Sequence, residues 1–244
     1  YYFIYSSWQN HELCYATSDL PDRDFVFGGT IVSNGDVGYH GRSEKDRLNM
    51  TGTTHGSIEC INGQWYVFYH RLTHKSDYSR QACAEPITIL PDGSIPQVEI
   101  TSCGLNGKPL HGTGTYPAVI ACNITNGHMP HGSNKIYTDS FPNATHCGED
   151  RFIGEIQDGT MLGYKYFAFS GAKEIGVQYR GSCNGKFVVS DNMDGKNIVA
   201  EIPVAPADAW TESRAPLHIS DGTHPLYLFY RGDGEAAVKE LYLA

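Results

Sequence analysis

The chain has 244 residues, a formal charge of −9 and 12% aromatic residues, with 16 Tyr, 27 Gly and 12 Pro. That length holds one large or two ordinary domains, and the negative charge without any basic run excludes recognition of nucleic acid through clustered Lys and Arg. No apolar stretch reaches the roughly 20 residues that cross a bilayer, and the Gly, Pro and aromatic content favours short strands and tight turns over long helices.

Residues 1–7, Tyr-Tyr-Phe-Ile-Tyr-Ser-Ser, read as the interior of a strand with no initiator Met, signal peptide or polar lead-in, so sequence upstream of residue 1 is expected. Further strand and turn units are predicted at 12–18, 25–32, 55–61, 64–71 and 80–90, an antiparallel meander. Asn62-Gly63 is its clearest hairpin, because Asn-Gly accepts the two positive φ angles of a type I′ turn, and Asp92-Gly93 is a second turn. Meanders of this kind build propeller blades. Between 33 and 54 lies a long polar loop, which suits either function or a solvated excursion. Residues 104–135, rich in Gly, Asn, Pro and His, contain the expected domain boundary.

From 136 onward, eight short strands are predicted, at 152–156, 163–169, 174–179, 186–190, 197–203, 217–219, 225–230 and 238–243. They match a sandwich or jelly roll. The predicted organisation is therefore all-β: blades over 1–105, a connecting loop over 106–135, and a β-sandwich over 136–244. Seven cysteines with no CxxC pair predict mostly buried thiols, with a single bridge such as Cys103 to Cys122 left open.

Two stretches carry a resemblance. Thr53-Thr54-His55-Gly56-Ser57-Ile58, running into Asn62-Gly63-Gln64-Trp65-Tyr66-Val67-Phe68-Tyr69-His70-Arg71 and then Ser79-Arg80-Gln81-Ala82-Cys83-Ala84-Glu85-Pro86, resembles the last blade of the five-bladed propeller of glycoside hydrolase family 43. Residues 1–18 resemble the blade before it. The ending, His224-Pro225-Leu226-Tyr227-Leu228-Phe229-Tyr230-Arg231-Gly232-Asp233-Gly234 through Glu240-Leu241-Tyr242-Leu243, is similar to the final strands of family 6 carbohydrate-binding modules.

The resemblance implies part of a secreted arabinofuranosidase or β-xylosidase that hydrolyses pentose linkages of arabinoxylan or related polysaccharide with inversion. Its catalytic carboxylates would lie upstream of residue 1, and no such role passes to Asp19, Asp22, Glu59 or Glu85. Two site residues do carry over. His55 matches the family histidine that projects toward the central channel, orienting water or approaching a bound calcium; Arg80 matches the arginine that reaches the buried sugar subsite.

In the sandwich, a sugar platform needs an exposed aromatic ring. Trp210, read as a loop residue, is the first candidate, followed by Tyr179 and Tyr166. Family modules often hold a structural calcium, for which Glu155, Asp158 and Asp233 are the candidate carboxylates; no organic cofactor is expected. The competing class is a non-catalytic fragment that binds xylan-type polysaccharide. Because two blades alone would expose apolar side faces, a partner is expected, either the N-terminal propeller segment as a separate chain or a homo-oligomer.

Overall fold

The chain opens on an antiparallel meander of β1 (Tyr2–Ser6), β2 (Glu12–Thr17) and β3 (Val26–Ser33), paired in that order. The computed structural model, which describes residues 1–244, continues through short 3-10 turns at Asn34–Asp36, Tyr39–Gly41 and Glu44–Asp46. A second meander follows, β4 (Ser57–Ile61), β5 (Gln64–Thr73) and β6 (Ser76–Ile87). Asn62 and Gly63 have φ of 51° and 84°, as the type I′ turn requires, and lock β4 to β5 from Ile61↔Gln64 to Ser57↔Phe68. These two three-stranded sheets are the blades anticipated from the sequence. β6 begins four residues earlier than expected, because His74 and Lys75 take positive φ without any glycine to announce the turn.

Residues Tyr1–Ile100 and His128–Tyr137 form one compact unit, and Thr101–Gly127 with Thr138–Ala244 form the other. The first unit is filled by Leu13, Tyr15, Ile31, Val32, Val67, Tyr69, Leu72, Ile87 and Ile95, all under 9% exposed. At ~1.5–3 kcal/mol for each large apolar side chain taken out of water, this burial is what holds the meanders together.

The stretch 106–135 is not one connecting loop. It contains β7 (Leu110–His111), β8 (Gly114–Pro117) and β9 (Asn123–Thr125), which pair with strands of the second unit. Strands of two to four residues are too short to show a period. Residues 128–137 instead return to the first unit as a strap. Thr51 bridges His131, Ser76 bridges Ile136, the Lys135 amide donates to Asp77 Oδ2, and Arg47 donates to the Met129 carbonyl.

The second unit is a two-sheet sandwich. One sheet runs β10 (Asn143–Cys147), β11 (Asp150–Ile156), β18 (Ala236–Leu243), β13 (Glu174–Gly181), β16 (Ala207–Pro216), with β8 also on β18. The other runs β15 (Ile198–Val204), β14 (Asn184–Ser190), β17 (Gly222–Asp233), β12 (Met161–Phe169), β7, with β9 also on β12. Alternate residues point inward: Ile175, Val177 and Tyr179 from the first sheet meet Leu226, Leu228 and Tyr230 from the second in one core. β16 was missed by sequence, and 217–219 taken in its place. As an edge strand that pairs only with β13, β16 is solvated on most positions and lacks the alternation that marks a half-buried strand.

All seven cysteines are free. Cys14, Cys122 and Cys183 are buried, whereas Cys60 and Cys147 are exposed. Cys103 faces the Lys165 and Tyr166 carbonyls rather than Cys122.

Candidate active site

Gly56 decides the local geometry. A Cβ built there would stand 1.7 Å from the Phe68 carbonyl oxygen and 3.1 Å from Leu13 Cδ2, so only glycine lets the chain entering β4 lie this close to β5. Counting back from the Asn62-Gly63 turn, His55 falls opposite His70, and their rings stack at 5.8 Å between centroids and 27° between planes. The His70 carbonyl is fixed by Asn34 Nδ2 at 3.1 Å and Thr54 Oγ1 at 3.3 Å. Ser6, at the end of β1, donates to the Thr54 carbonyl and ties the neighbouring blade to the same rim.

Arg80 pairs with Leu72 across β5 and β6 and shares the sheet face of His70, since directly opposed residues lie on one face and faces alternate along a strand. Its guanidinium is exposed and donates from Nη2 to the Asp77 carbonyl at 3.2 Å. Burial, then the charge of Arg80, then His55 bring the His70 pKa from its usual 6.5 to about 4, so the ring is neutral near pH 7. Both its ring nitrogens are shut off from solvent and lack a hydrogen-bond partner. The structure thus gathers His55, Arg80 and His70 at one end of one blade.

Elsewhere in this unit, His74 bonds the Thr73 and Ser79 hydroxyls through Nδ1, and His131 bonds Thr51 at 2.9 Å. Glu85 is 1% exposed and accepts a hydrogen bond from Tyr69 at 3.1 Å on the sheet face opposite His70. Burial first, and Glu85 second, push the Tyr69 hydroxyl well above its ordinary range. Glu59 is exposed and accepts from the Cys60 amide.

In the sandwich, Trp210 lies on β16, not in a loop, and its ring is already occupied. Arg180 packs over it at 4.4 Å, Phe152 meets it edge-on at 5.5 Å, and its Nε1 donates to Asp150 at 2.8 Å. The Lys239 ammonium, with the Trp210 indole second, holds the Asp150 carboxyl below its usual range. Tyr179 is 5% exposed and accepts from the Ala205 amide at 3.1 Å, a core role that leaves no ring face for a sugar. Tyr166 is half-buried on β12.

Glu155 accepts from Asn143 Nδ2 and Asp158 from the Gly232 amide, while Asp233 stands in the exposed end of β17. No group of three His, Cys, Asp or Glu side chains is gathered in one place.

Two propeller-type meanders and a jelly-roll sandwich define the class of fold: all-β, in two units. No protein-family model matches the chain. A xylosidase/arabinosidase from Thermoclostridium stercorarium is 44% identical over 257 residues, covering 100% of this chain and 53% of that protein. The chain thus spans about half the length of the curated relative that it matches throughout. A glycoside hydrolase family 43 arabinoxylan arabinofuranohydrolase from Bacillus subtilis, solved with cellotetraose, shares the fold at a TM-score of 0.52 and 18% identity, over 100% of this chain and 51% of that one. A family 6 carbohydrate-binding module from Clostridium cellulolyticum, solved with xylose, aligns to 55% of this chain and 98% of its own at a TM-score of 0.46 and 14% identity. Over its whole length the chain is therefore similar to a xylosidase/arabinosidase, and its fold is that of the family 43 arabinoxylan arabinofuranohydrolase.

Proposed function

We propose that the chain is part of a secreted, hemicellulose-degrading arabinofuranosidase or β-xylosidase that hydrolyses pentose linkages with inversion. The observation that carries this reading is the convergence of His55 and Arg80 on one end of the β4–β5–β6 sheet. In such a reaction a carboxylate takes a proton from water, the water oxygen bonds to the anomeric carbon, and the glycosidic C–O bond breaks. A carboxylic acid then gives its proton to the leaving oxygen, and the pair stands ~6.5–9.5 Å apart to admit the water.

In this reading both carboxylates come from polypeptide outside residues 1–244. His55 orients the water, and Arg80 binds a sugar hydroxyl or steadies the charge of the acid. Phe3, Val26 and Phe27, which are 55%, 69% and 63% exposed, support a partner: further blades, as a separate chain or through a homo-oligomer, would cover them. Arabinoxylan or a related polysaccharide is the expected substrate.

The test is turnover of nitrophenyl α-L-arabinofuranoside and β-D-xyloside by the natural assembly containing this chain. His55→Ala and Arg80→Ala are each expected to lower kcat/KM at least ~100-fold, in line with losing a group that acts on the transition state. Unchanged turnover in both variants overturns the reading. Intact-mass and solution-size measurements test the partner, and a fully folded monomer of 26.9 kDa counts against it.

A further inference from the structure

We propose that His70 is a third ligand-contacting residue of this site, its imidazole nitrogens exchanging hydrogen bonds with hydroxyls of the bound pentose. The inference rests on the reading of the His55–Arg80 end as a sugar subsite and adds to it the group that accepts.

The case begins with what His70 lacks. A buried polar atom without a partner costs on the order of 1–3 kcal/mol, and native proteins leave few of them. His70 has two, Nδ1 and Nε2. Packing alone does not call for such a residue, because a Phe in the same space would stack on His55 without that cost. The backbone of His70 is anchored by Asn34 and Thr54, and one ring face is taken by His55. What remains for a ligand is the ring edge.

Access is a matter of rotation. His70 is partly exposed although neither nitrogen is, so the surface it shows to solvent is not nitrogen. A half-turn about Cβ–Cγ exchanges Nδ1 with Cδ2 and Nε2 with Cε1 within the same ring outline. That turn puts each nitrogen where a ring carbon now stands.

The chemistry of the three residues is complementary. Arg80 offers donors only. A neutral imidazole offers one N–H and one lone pair, so it can donate to one hydroxyl and accept from another. The charge of Arg80 and the partial burial keep the ring in that neutral form.

The experiment is a titration of the natural assembly containing this chain, 15N-labelled at histidine and arginine, with L-arabinose and with D-xylose, followed by two-bond 1H–15N spectra of the imidazoles and by the Arg80 side-chain signal. Expected are shifts at His55, Arg80 and both His70 nitrogens, about tenfold weaker binding at these signals in His70→Phe, and partial recovery in His70→Gln, which restores a donor and an acceptor. Undiminished binding in His70→Phe, with His55 and Arg80 still shifting, overturns this proposal and leaves the sugar subsite standing. If no signal of the three responds to either pentose, the subsite itself is refuted, and the role of His70 with it. The His70→Phe and His70→Gln proteins are compared at matched melting temperature, so that misfolding of one does not decide the outcome.

Discussion

Replacing Gly56 by alanine is the most direct way to part the two histidines. The new Cβ would meet the Phe68 carbonyl oxygen at 1.7 Å and its carbon at 2.8 Å, whereas carbon and oxygen rest about 3.3 Å apart. The entry to β4 must therefore retreat from β5 by about 1.5 Å, because the obstacle is backbone that cannot swing aside. Such a retreat lengthens the ladder bonds beside Ser57↔Phe68 beyond hydrogen-bonding range, a loss of ~1 kcal/mol for each of one or two bonds. Residual overpacking adds ~1–2 kcal/mol, for a total of ~2–4 kcal/mol. For a unit of this size that corresponds to a fall of roughly 10 °C in the melting transition.

Gly63→Ala is the natural control. There φ is 84° with nothing within 4 Å of the added carbon, so only the left-handed backbone is penalised, by ~1 kcal/mol. Calorimetry and urea unfolding, followed through the β4 and β5 amides, compare the two. If Gly56→Ala is no more destabilising than Gly63→Ala, or if the His55 and His70 ring signals are unchanged in it, glycine is not what brings the rings together.

Three further outcomes are expected. The folded-state pKa of His70, about 4, lies below the 6.5 of the unfolded chain, so its contribution to stability is complete above pH 6.5. It is lost as pH falls toward 4, by at most ~3 kcal/mol and less to the extent that water reaches the ring. Urea midpoints of wild type and His70→Phe should move apart as pH falls across that range, because only the wild type loses stability there, and parallel curves refute the assignment. Arg180→Ala uncovers the Trp210 ring, so retardation in xylan gels should strengthen in that variant, whereas Trp210→Ala in the native background leaves it unchanged; weaker retardation in Trp210→Ala shows that the covered ring already binds. Tyr179→Phe removes the acceptor of the Ala205 amide and should cost ~1–2 kcal/mol of sandwich stability while leaving sugar retardation intact, so lost retardation in a folded variant restores Tyr179 as a platform.

Much of the architecture was legible because its signals are local. Asn62-Gly63 fixed a hairpin, and short apolar runs marked β12, β13, β14, β17 and β18. His70 was legible in principle too, since a two-residue turn determines every pairing behind it, and counting from Asn62-Gly63 places it across from His55. What stayed hidden depends on distant partners. β7, β8 and β9 become strands only on meeting β12 and β18. Trp210 is covered by Arg180 through the β13–β16 register, set between segments some thirty residues apart. Whether a tyrosine such as Tyr179 serves as core or platform is not written in residue type at all.

The strap formed by His128–Tyr137 has a consequence for how the molecule is made and remade. Because the chain crosses from one unit to the other after residues 100, 127 and 137, each unit is discontinuous in sequence. During N-to-C synthesis the first cannot close until the strap has emerged, and three short strands must wait, unpaired, for partners that are translated later. No single cut yields two whole modules. A transplant of the sandwich would have to carry residues 101–127 with it and leave the following ten behind.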